Sequence, residues 1–259
     1  MDAIDAAYRR IVSAWRDRHI TSGGQLASAL VDYRVRFAYN SGNIENPELT
    51  YHDTHDVFED GRVRSFTGDP RTLFEIQNLK NCHELILDAF DKRRPVDEGF
   101  VLEVHHTLTV GTYDERRWRA GERPGTYKVG DYVVGSGDVG ATPSEVSGEV
   151  KALLAEVGGA PTGNELTVAA YFHAVFESIH PFADGNGRVG REIMNYLLLL
   201  RNHPPIIVFE TDRMGYYGAI ETWDMERDLE PMKTLLKAEA IRTWAMGDRV
   251  GRGSEGLVG

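Results

Sequence analysis

Apolar residues recur at steps of three and four positions along almost the whole chain, and this spacing restricts the fold more than any other feature. The first example is Ile4, Tyr8, Ile11 and Trp15, and the pattern continues to Trp244. An α-helix turns once per 3.6 residues, so residues at these steps share one face and pack against a neighbour. The spacing predicts an all-α fold, a helical bundle packed as one globular unit.

One segment interrupts the helical spacing. Residues 111–142 are rich in Gly and Arg, and Tyr127–Val134 alternates in character as a strand does. The turn sequence Gly135–Asp138 follows directly. Alternation beside such a turn is typical of two short antiparallel strands, so we predict a short β-hairpin over Tyr127–Thr142.

The chain divides into three predicted parts. Residues 1–68 form N-terminal helices, and residues 69–250 form the main core and the C-terminal helices. Asp69 followed by Pro70 is a helix cap with a first-turn proline, which marks the start of the second part. Residues 251–259 contain four glycines, so we expect a flexible tail.

Composition excludes several classes of protein. The 29 Lys and Arg residues against 40 Asp and Glu give a net charge of −11, which argues against a general nucleic-acid surface. The single Cys82 excludes an intramolecular disulfide framework. The longest apolar run, Tyr196–Leu200, is far shorter than the roughly 18 residues of a membrane span. The acidic N-terminus is unlike a signal peptide, so we expect a cytoplasmic protein.

A glycine-rich turn is the first sign of a binding site. Gly185, Asn186 and Gly187 stand where a helix is predicted to begin. Backbone N–H groups converge at such a point, and the helix dipole adds partial positive charge, so the turn can bind an anion. Alone, this sequence is an ordinary turn. Its neighbours change that interpretation.

Four side chains beside the turn have the chemistry of phosphate handling. Arg188 and Arg191 are three residues apart, so both can project from one face of the first helical turn toward phosphate oxygens. Asp184 precedes the turn and can hold Mg²⁺ between phosphate oxygens. His180 ends the preceding helix, and an imidazole can accept a proton near neutral pH.

Residues 180–191, HPFADGNGRVGR, match the motif HPFxDGNGRxxR at every fixed position, and the chain thereby resembles the Fic family. Proteins of that family mostly transfer AMP from ATP to hydroxyl side chains of target proteins, and are therefore nucleotidyltransferases. The resemblance implies a helical core with a short hairpin, the flap, that positions the target segment. Our predicted hairpin lies where the flap should be, and the flap residues are Tyr127, Lys128, Val129 and Val133.

The resemblance also implies roles for individual residues. His180 is the base, Asp184 binds Mg²⁺, and the glycine turn and both motif arginines contact the phosphates of ATP. Phe182 is the buried anchor of the loop. Tyr216 and Tyr217 are expected to line the base pocket. The partner is a protein with a Ser, Thr or Tyr hydroxyl, and the chain itself is one such candidate; the oligomeric state stays open.

A second match lies near the N-terminus. Ser41, Glu45 and Asn46 fit the family's inhibitory pattern Ser/Thr-x-x-x-Glu-Gly/Asn at its three defined positions, within residues 41–46. Alone, this is a polar turn before Pro47 with a solvated glutamate. The resemblance implies that Glu45 pairs with Arg191 and occupies donors that a γ-phosphate needs.

These residues predict an autoinhibited protein adenylyltransferase. Three alternatives stay open: a hydrolase that removes AMP with Glu45 orienting water, a nucleotide-binding regulatory module without turnover, and a kinase-like variant. The complete second half of the motif disfavours the kinase-like variant, and intact His180 and Asp184 speak against the inactive module.

Two weaker signals precede the motif in the sequence. His173 lies two helical turns earlier and is assigned mainly to packing. A basic run precedes the predicted flap and is interpreted as a solvated face, with a docking patch for an acidic partner as the alternative; its members are Arg116, Arg117, Arg119 and Arg123.

Overall fold

The computed structural model describes residues 3–63, 66–132 and 140–245. These residues form α-helices and one 3₁₀ turn and contain no strand, which confirms the all-α prediction for the described part. The helices are α1 (Ala3–Arg16), α2 (Gly23–Ala29), α3 (Val31–Glu45), α4 (Tyr51–Asp60), α5 (Pro70–Asp91), α6 (Glu98–Thr109), α7 (Glu115–Arg119), α8 (Val146–Gly159), α9 (Glu165–Ile179), α10 (Asn186–Leu200), α11 (Arg213–Glu226) and α12 (Glu230–Ala245), with the 3₁₀ turn at Glu210–Asp212.

Several helices begin at a polar cap that can be read directly from the sequence. The Asp69 carboxylate accepts a hydrogen bond from the Arg71 N–H at 2.9 Å, and Pro70 occupies the first turn of α5. Asp97 accepts from the Phe100 N–H at 2.8 Å in the same way and starts α6. Such caps satisfy N–H groups that have no partner within the helix.

Helix α10 lies at the centre of the fold. Thirteen of its residues are buried, and it packs against α3, α5, α6 and α9. Ile193, Met194 and Tyr196 have no exposed surface. Because this helix also carries both motif arginines, their guanidinium groups are enclosed and need polar partners from neighbouring elements.

The N-terminal helices pack on later parts of the chain. Helix α1 lies against α12, where the rings of Trp15 and Trp244 are 5.0 Å apart. Helix α3 packs on α5 and α10, so its C-terminal end reaches the start of α10. The division of the chain at residues 68 and 69 stays a prediction.

The predicted hairpin is not seen. Within Tyr127–Thr142, the described residues 127–132 and 140–142 form no strand. Their amides are used elsewhere: the Lys128 N–H donates to the Pro181 carbonyl at 3.0 Å, and the Val129 N–H donates to Glu122 Oε1 at 2.9 Å. With these N–H groups bound to the motif loop and to a side chain, the described residues build no ladder.

Two predictions fall outside the described residues. Val133 lies in the range 133–139, and the tail of residues 251–259 lies beyond residue 245. Among the described helices, none is both long enough and apolar enough to cross a membrane.

Candidate functional site

A cleft of about 750 Å³ lies where the start of α10 meets the ends of α3 and α9 and one face of α11. This volume is in the range of small-ligand pockets. Its lining is acidic on one side and includes the motif loop on the other. The lining residues used below are Glu45, Glu177, His180, Asp184, Gly187, Tyr216 and Tyr217.

The loop from α9 to α10 is held by a buried aromatic stack. Phe182 has no exposed surface, and its ring lies parallel to that of His105 at 3.7 Å. Gly185 has a φ of 85°, and a Cβ at this position would lie 2.8 Å from the Thr109 methyl carbon. Backbone conformation and space therefore both require glycine here.

His105 also fixes the backbone of the loop. Its Nδ1 accepts a hydrogen bond from the Gly125 N–H at 2.9 Å, so the ring proton lies on Nε2, which donates to the Asp184 carbonyl at 3.1 Å. Burial lowers the pKa of His105 to about 3, so the ring stays neutral. Helix α6 thus holds the peptide from which the Asp184 side chain projects.

Asn186 closes the loop around His180. Its Oδ1 accepts from the Phe182 N–H at 2.9 Å, and its Nδ2 donates to the Phe182 carbonyl at 2.8 Å. The same Nδ2 lies 3.0 Å from His180 Nε2 and 3.2 Å from Nδ1. An amide N–H₂ group only donates, so whichever of the two ring nitrogens accepts this hydrogen bond carries no proton.

His180 is therefore a neutral imidazole at the cleft. It ends α9 in the left-handed conformation, with a φ of 48°. Burial, and then the charge of Lys128, lower its pKa to about 4. In this state the ring can receive a proton but attracts it weakly.

Asp184 is surrounded by three guanidinium groups. Its Oδ2 lies 2.8 Å from Arg71 Nη2 and 3.5 Å from Arg117 Nη2, and its Oδ1 lies 3.4 Å from Arg188 Nη2. Burial by itself raises the pKa of Asp184, but these three charges outweigh it and hold the pKa below its usual value. The carboxylate is ionised at neutral pH.

Arg191 is buried, and four of its five N–H groups donate to protein oxygens. Its Nε donates to Ser41 Oγ at 3.0 Å, and its Nη1 donates to the Tyr216 hydroxyl at 3.1 Å. Its Nη2 donates both to the Ser41 carbonyl at 2.8 Å and to Glu45 Oε1 at 2.9 Å. The end of α3 thus supplies three of the four contacts of this motif arginine.

The Glu45 carboxylate also covers the glycine turn. A Cβ built on Gly187 would lie 2.2 Å from Glu45 Oε1 and 2.9 Å from Arg191 Nη1. The carboxylate oxygen therefore sits directly over the first turn of α10, where an anion is favoured by free N–H groups. Asn46, the next residue, donates to Glu75 Oε2 at 2.7 Å.

The two tyrosines predicted for the base pocket have different surroundings. Tyr216 is 1% exposed, and its hydroxyl is shared between Arg191 and His173 Nε2, which lies 2.7 Å away. Tyr217 is 41% exposed and lines the cleft. His173, which the sequence assigns mainly to packing, is buried with a pKa lowered by burial to about 3.

The described flap residues also differ from one another. Tyr127 stacks on Phe182 at 5.6 Å, and Lys128 is buried with its charge close enough to affect His180. Val129 is 53% exposed. Of these three residues, Val129 is the most exposed, Tyr127 is partly buried and Lys128 is buried.

Sequence reasoning missed two carboxylates near the site. Glu177 lines the cleft, and burial, with the nearby charge of Glu45, raises its pKa to about 8. Glu75 is 4% exposed and lies 3.1 Å from Arg71 Nε and 3.6 Å from Arg188 Nη1. The four-residue step from Arg71 to Glu75 is the one local signal that predicts any of these contacts.

Residues 95–198 match the sequence model of the Fic/DOC family. The chain contains a Fic domain. The matched range includes α6 and the whole loop from His180 to Arg191, so it covers both the aromatic stack and the side chains predicted to contact phosphate.

Curated relatives of this Fic-domain chain carry the name protein adenylyltransferase. The protein adenylyltransferase Fic of Drosophila melanogaster is 25% identical over 235 residues, which are 88% of this chain and 46% of the relative. A probable protein adenylyltransferase of Aquifex aeolicus is 29% identical over 138 residues, 51% of this chain and 40% of the relative. The chain spans less than half the length of these relatives.

Solved structures share the fold. A Fic domain containing signaling protein from Bacteroides thetaiotaomicron superposes with a TM-score of 0.79 at 24% identity, covering 95% of this chain and 97% of that one. Fic-1 from C. elegans, residues 134–508, gives a TM-score of 0.72 at 20% identity, covering 96% of this chain and 72% of that one. The likeness extends beyond the matched family range to almost the whole chain.

Proposed function

We propose that this chain is an autoinhibited protein adenylyltransferase, which transfers AMP from ATP to a Ser, Thr or Tyr hydroxyl of a target protein. The names of its relatives support the reaction class. The observation that carries the autoinhibition is the contact between Arg191 and Glu45 over the start of α10.

The groups at the cleft fit the steps of this reaction. The target hydroxyl oxygen attacks the α-phosphorus of ATP, the new O–P bond forms, and the bond from the α-phosphorus to the bridging oxygen breaks. Pyrophosphate leaves with that oxygen. Neutral His180 takes the hydroxyl proton, while the N–H groups at the start of α10 and the arginines stabilise negative charge on the phosphates.

Mg²⁺ is implied by the resemblance, and the residues present fit it. Asp184 is an ionised carboxylate on the cleft wall, and Mg²⁺ is commonly held by one or two carboxylates together with substrate phosphates. Among the described residues, no group of three or more His, Cys, Asp or Glu side chains could hold a metal ion. Asp184 would therefore hold it together with phosphate oxygens, and the ion would neutralise phosphate charge.

We expect Glu45 to make the resting form a weak enzyme. Its carboxylate lies over the glycine turn and engages one nitrogen of Arg191 that a phosphate would otherwise use. Two anions cannot share this small positive region without strong repulsion. We therefore assign residues 41–46 a regulatory role, carried by the N-terminal part of the chain, residues 1–68.

Mass spectrometry of the whole chain tests the reaction. The chain incubated with ATP and Mg²⁺ should gain the mass of AMP on itself or on an added target, and His180→Ala should gain none while still binding ATP. The exposed His52→Ala variant is the matched control and should behave as the unchanged chain. The proposal would be contradicted if the chain gained only the mass of phosphate. It would also be contradicted if neither the unchanged chain nor the Glu45→Gly variant gained any mass.

Removal of AMP is a second candidate function. Glu45 and His180 line the same cleft, so the carboxylate could orient water toward a phosphate ester. Incubation of a modified target with the chain would release AMP in this case, and Glu45→Gly would abolish that release. If Glu45→Gly increases transfer and the unchanged chain releases no AMP, transfer is the function.

A further inference from the structure

The three arginines around Asp184 do not come from one motif. Arg188 belongs to the motif helix, whereas Arg71 lies in the first turn of α5 and Arg117 lies in the short α7. Arg71 makes the shortest contact, at 2.8 Å to Oδ2. The two arginines outside the motif thus contact the carboxylate oxygen Oδ2, and Arg188 contacts Oδ1.

These arginines differ in their freedom to move. The Arg188 side chain is 3% exposed, whereas those of Arg71 and Arg117 are 36% and 31% exposed. Arg71 has a second partner in Glu75, and Arg117 has one in Asp114 at 3.6 Å. Half-exposed side chains of this length can exchange one anionic partner for another at small cost.

The charges around Asp184 create a competition. A divalent cation and a guanidinium group cannot both lie within about 3 Å of one carboxylate oxygen without strong mutual repulsion. A metal ion that entered alone would therefore displace Arg71, at 2.8 Å, and repel Arg117, at 3.5 Å, and would leave their charges without this partner. A metal ion that entered with a polyphosphate would bring anionic oxygens to which both guanidiniums could turn.

We propose that Arg71 and Arg117 occupy the metal position of Asp184 in the nucleotide-free chain and become ligands of the leaving pyrophosphate when the metal–nucleotide complex binds. This inference rests on the proposed adenylyl transfer. The two arginines make metal binding depend on the polyphosphate, because they oppose the free ion and assist the complex.

Replacing either arginine should change the affinity for the free metal ion and the affinity for pyrophosphate in opposite directions. A purely structural role does not produce such opposite changes. In Arg71→Met and Arg117→Met, Mn²⁺ used as a probe without nucleotide should bind Asp184 about threefold to tenfold more tightly, because a competing charge is gone. Pyrophosphate with Mn²⁺ should bind about fivefold or more weakly, because a guanidinium donor is lost. Arg71→Lys keeps the positive charge but lacks the planar guanidinium group. Its affinities for Mn²⁺ and for pyrophosphate should therefore lie between those of Arg71→Met and the unchanged chain.

The measurements are electron paramagnetic resonance of free Mn²⁺ and calorimetric titration with pyrophosphate. Both use the full chain, and the titration uses the Glu45→Gly background so that the glycine turn is open. Arg119→Met lies in the same short helix but pairs with Glu115, so it is the matched control and should change neither affinity. Asp184→Asn should lose Mn²⁺ binding in both measurements.

Tighter Mn²⁺ binding together with weaker pyrophosphate binding supports the inference. Unchanged or weaker Mn²⁺ binding in the folded Arg117→Met variant, or unchanged pyrophosphate binding, overturns it. Neither readout depends on AMP transfer. If the chain transfers AMP but the variants do not show the opposite changes in Mn²⁺ and pyrophosphate affinity, only this inference is excluded. If the variants show these changes but the chain transfers no AMP, only the proposed function is excluded.

Discussion

Arg191 Nη2 donates to Glu45 Oε1 at 2.9 Å, joining the central helix to the end of an N-terminal helix 146 positions earlier. Each of the three guanidinium nitrogens of Arg191 donates to a protein oxygen. Four of its five N–H groups are thus used, so a phosphate that accepts two hydrogen bonds from this arginine would have to replace one of these partners. Of those partners, Glu45 is the only charged group and lines the cleft.

Tyr216 should matter for stability through its hydroxyl. That hydroxyl accepts from Arg191 and lies 2.7 Å from His173 Nε2, in a region closed to solvent. Tyr216→Phe leaves both partners unsatisfied, so we expect a loss of about 1–3 kcal/mol in the free energy of unfolding, measured by urea denaturation. Tyr217→Phe, at the exposed neighbour, should change it by less than about 0.5 kcal/mol. Equal effects of the two variants would refute this role.

Gly190 should tolerate no side chain, although the motif leaves its position variable. A Cβ there would lie 2.8 Å from His173 Nδ1 and 2.9 Å from Glu177 Oε1. Gly190→Ala should therefore destabilise the fold by about 1–3 kcal/mol through overpacking. Gly218→Ala, in α11 with open space around it, should stabilise the fold by about 0.4–1 kcal/mol. Thermal melts of both variants check the opposite signs, and a Gly190→Ala chain as stable as the unchanged one would contradict the packing.

His180 should remain neutral across the physiological range in the free chain. Because its pKa is lowered to about 4, a histidine NMR titration should show no change of its resonances between pH 5 and 8, whereas an ordinary histidine titrates near 6.5. The unfolded chain would bind a proton here below about pH 6.5 and the folded chain would not, so this residue lowers stability as the pH falls toward 4.

An anionic nucleotide next to His180 should raise its pKa, since negative charge favours the imidazolium form. The same titration with bound ATP should therefore shift the midpoint upward, with His180→Ala used to assign the resonance. A midpoint near 6.5 in the free chain would show that the ring is not shielded as the structure indicates.

Local sequence patterns predicted the helices well, because spacing and caps act within a few residues. Asp69 and Asp97 start helices through side-chain hydrogen bonds to amides two or three residues ahead. The alternation at Tyr127–Val134 led to the wrong prediction of a β-hairpin, because such a pattern also depends only on residues close in sequence. It reports local character, whereas the Lys128 and Val129 amides bond to the Pro181 carbonyl and the Glu122 side chain.

The candidate site was less accessible to sequence reasoning, because its contacts join distant positions. Arg71 and Asp184 are 113 positions apart, and no local pattern connects them. The expectation that Glu45 approaches Arg191 came from family resemblance, not from spacing. Arg117 was interpreted as part of a solvated face, since its proximity to Asp184 depends on how α7 folds back onto the motif loop.

The most direct test of the account is AMP incorporation from labelled ATP by Glu45→Gly compared with the unchanged chain. Loss of one charge-assisted hydrogen bond to Arg191 should free the phosphate site and raise incorporation roughly tenfold to a hundredfold in a chain that remains folded. Glu48→Gly, at an exposed glutamate of the adjoining loop, is the matched control and should leave incorporation unchanged. Equal incorporation by a folded Glu45→Gly chain and the unchanged chain would contradict autoinhibition by Glu45.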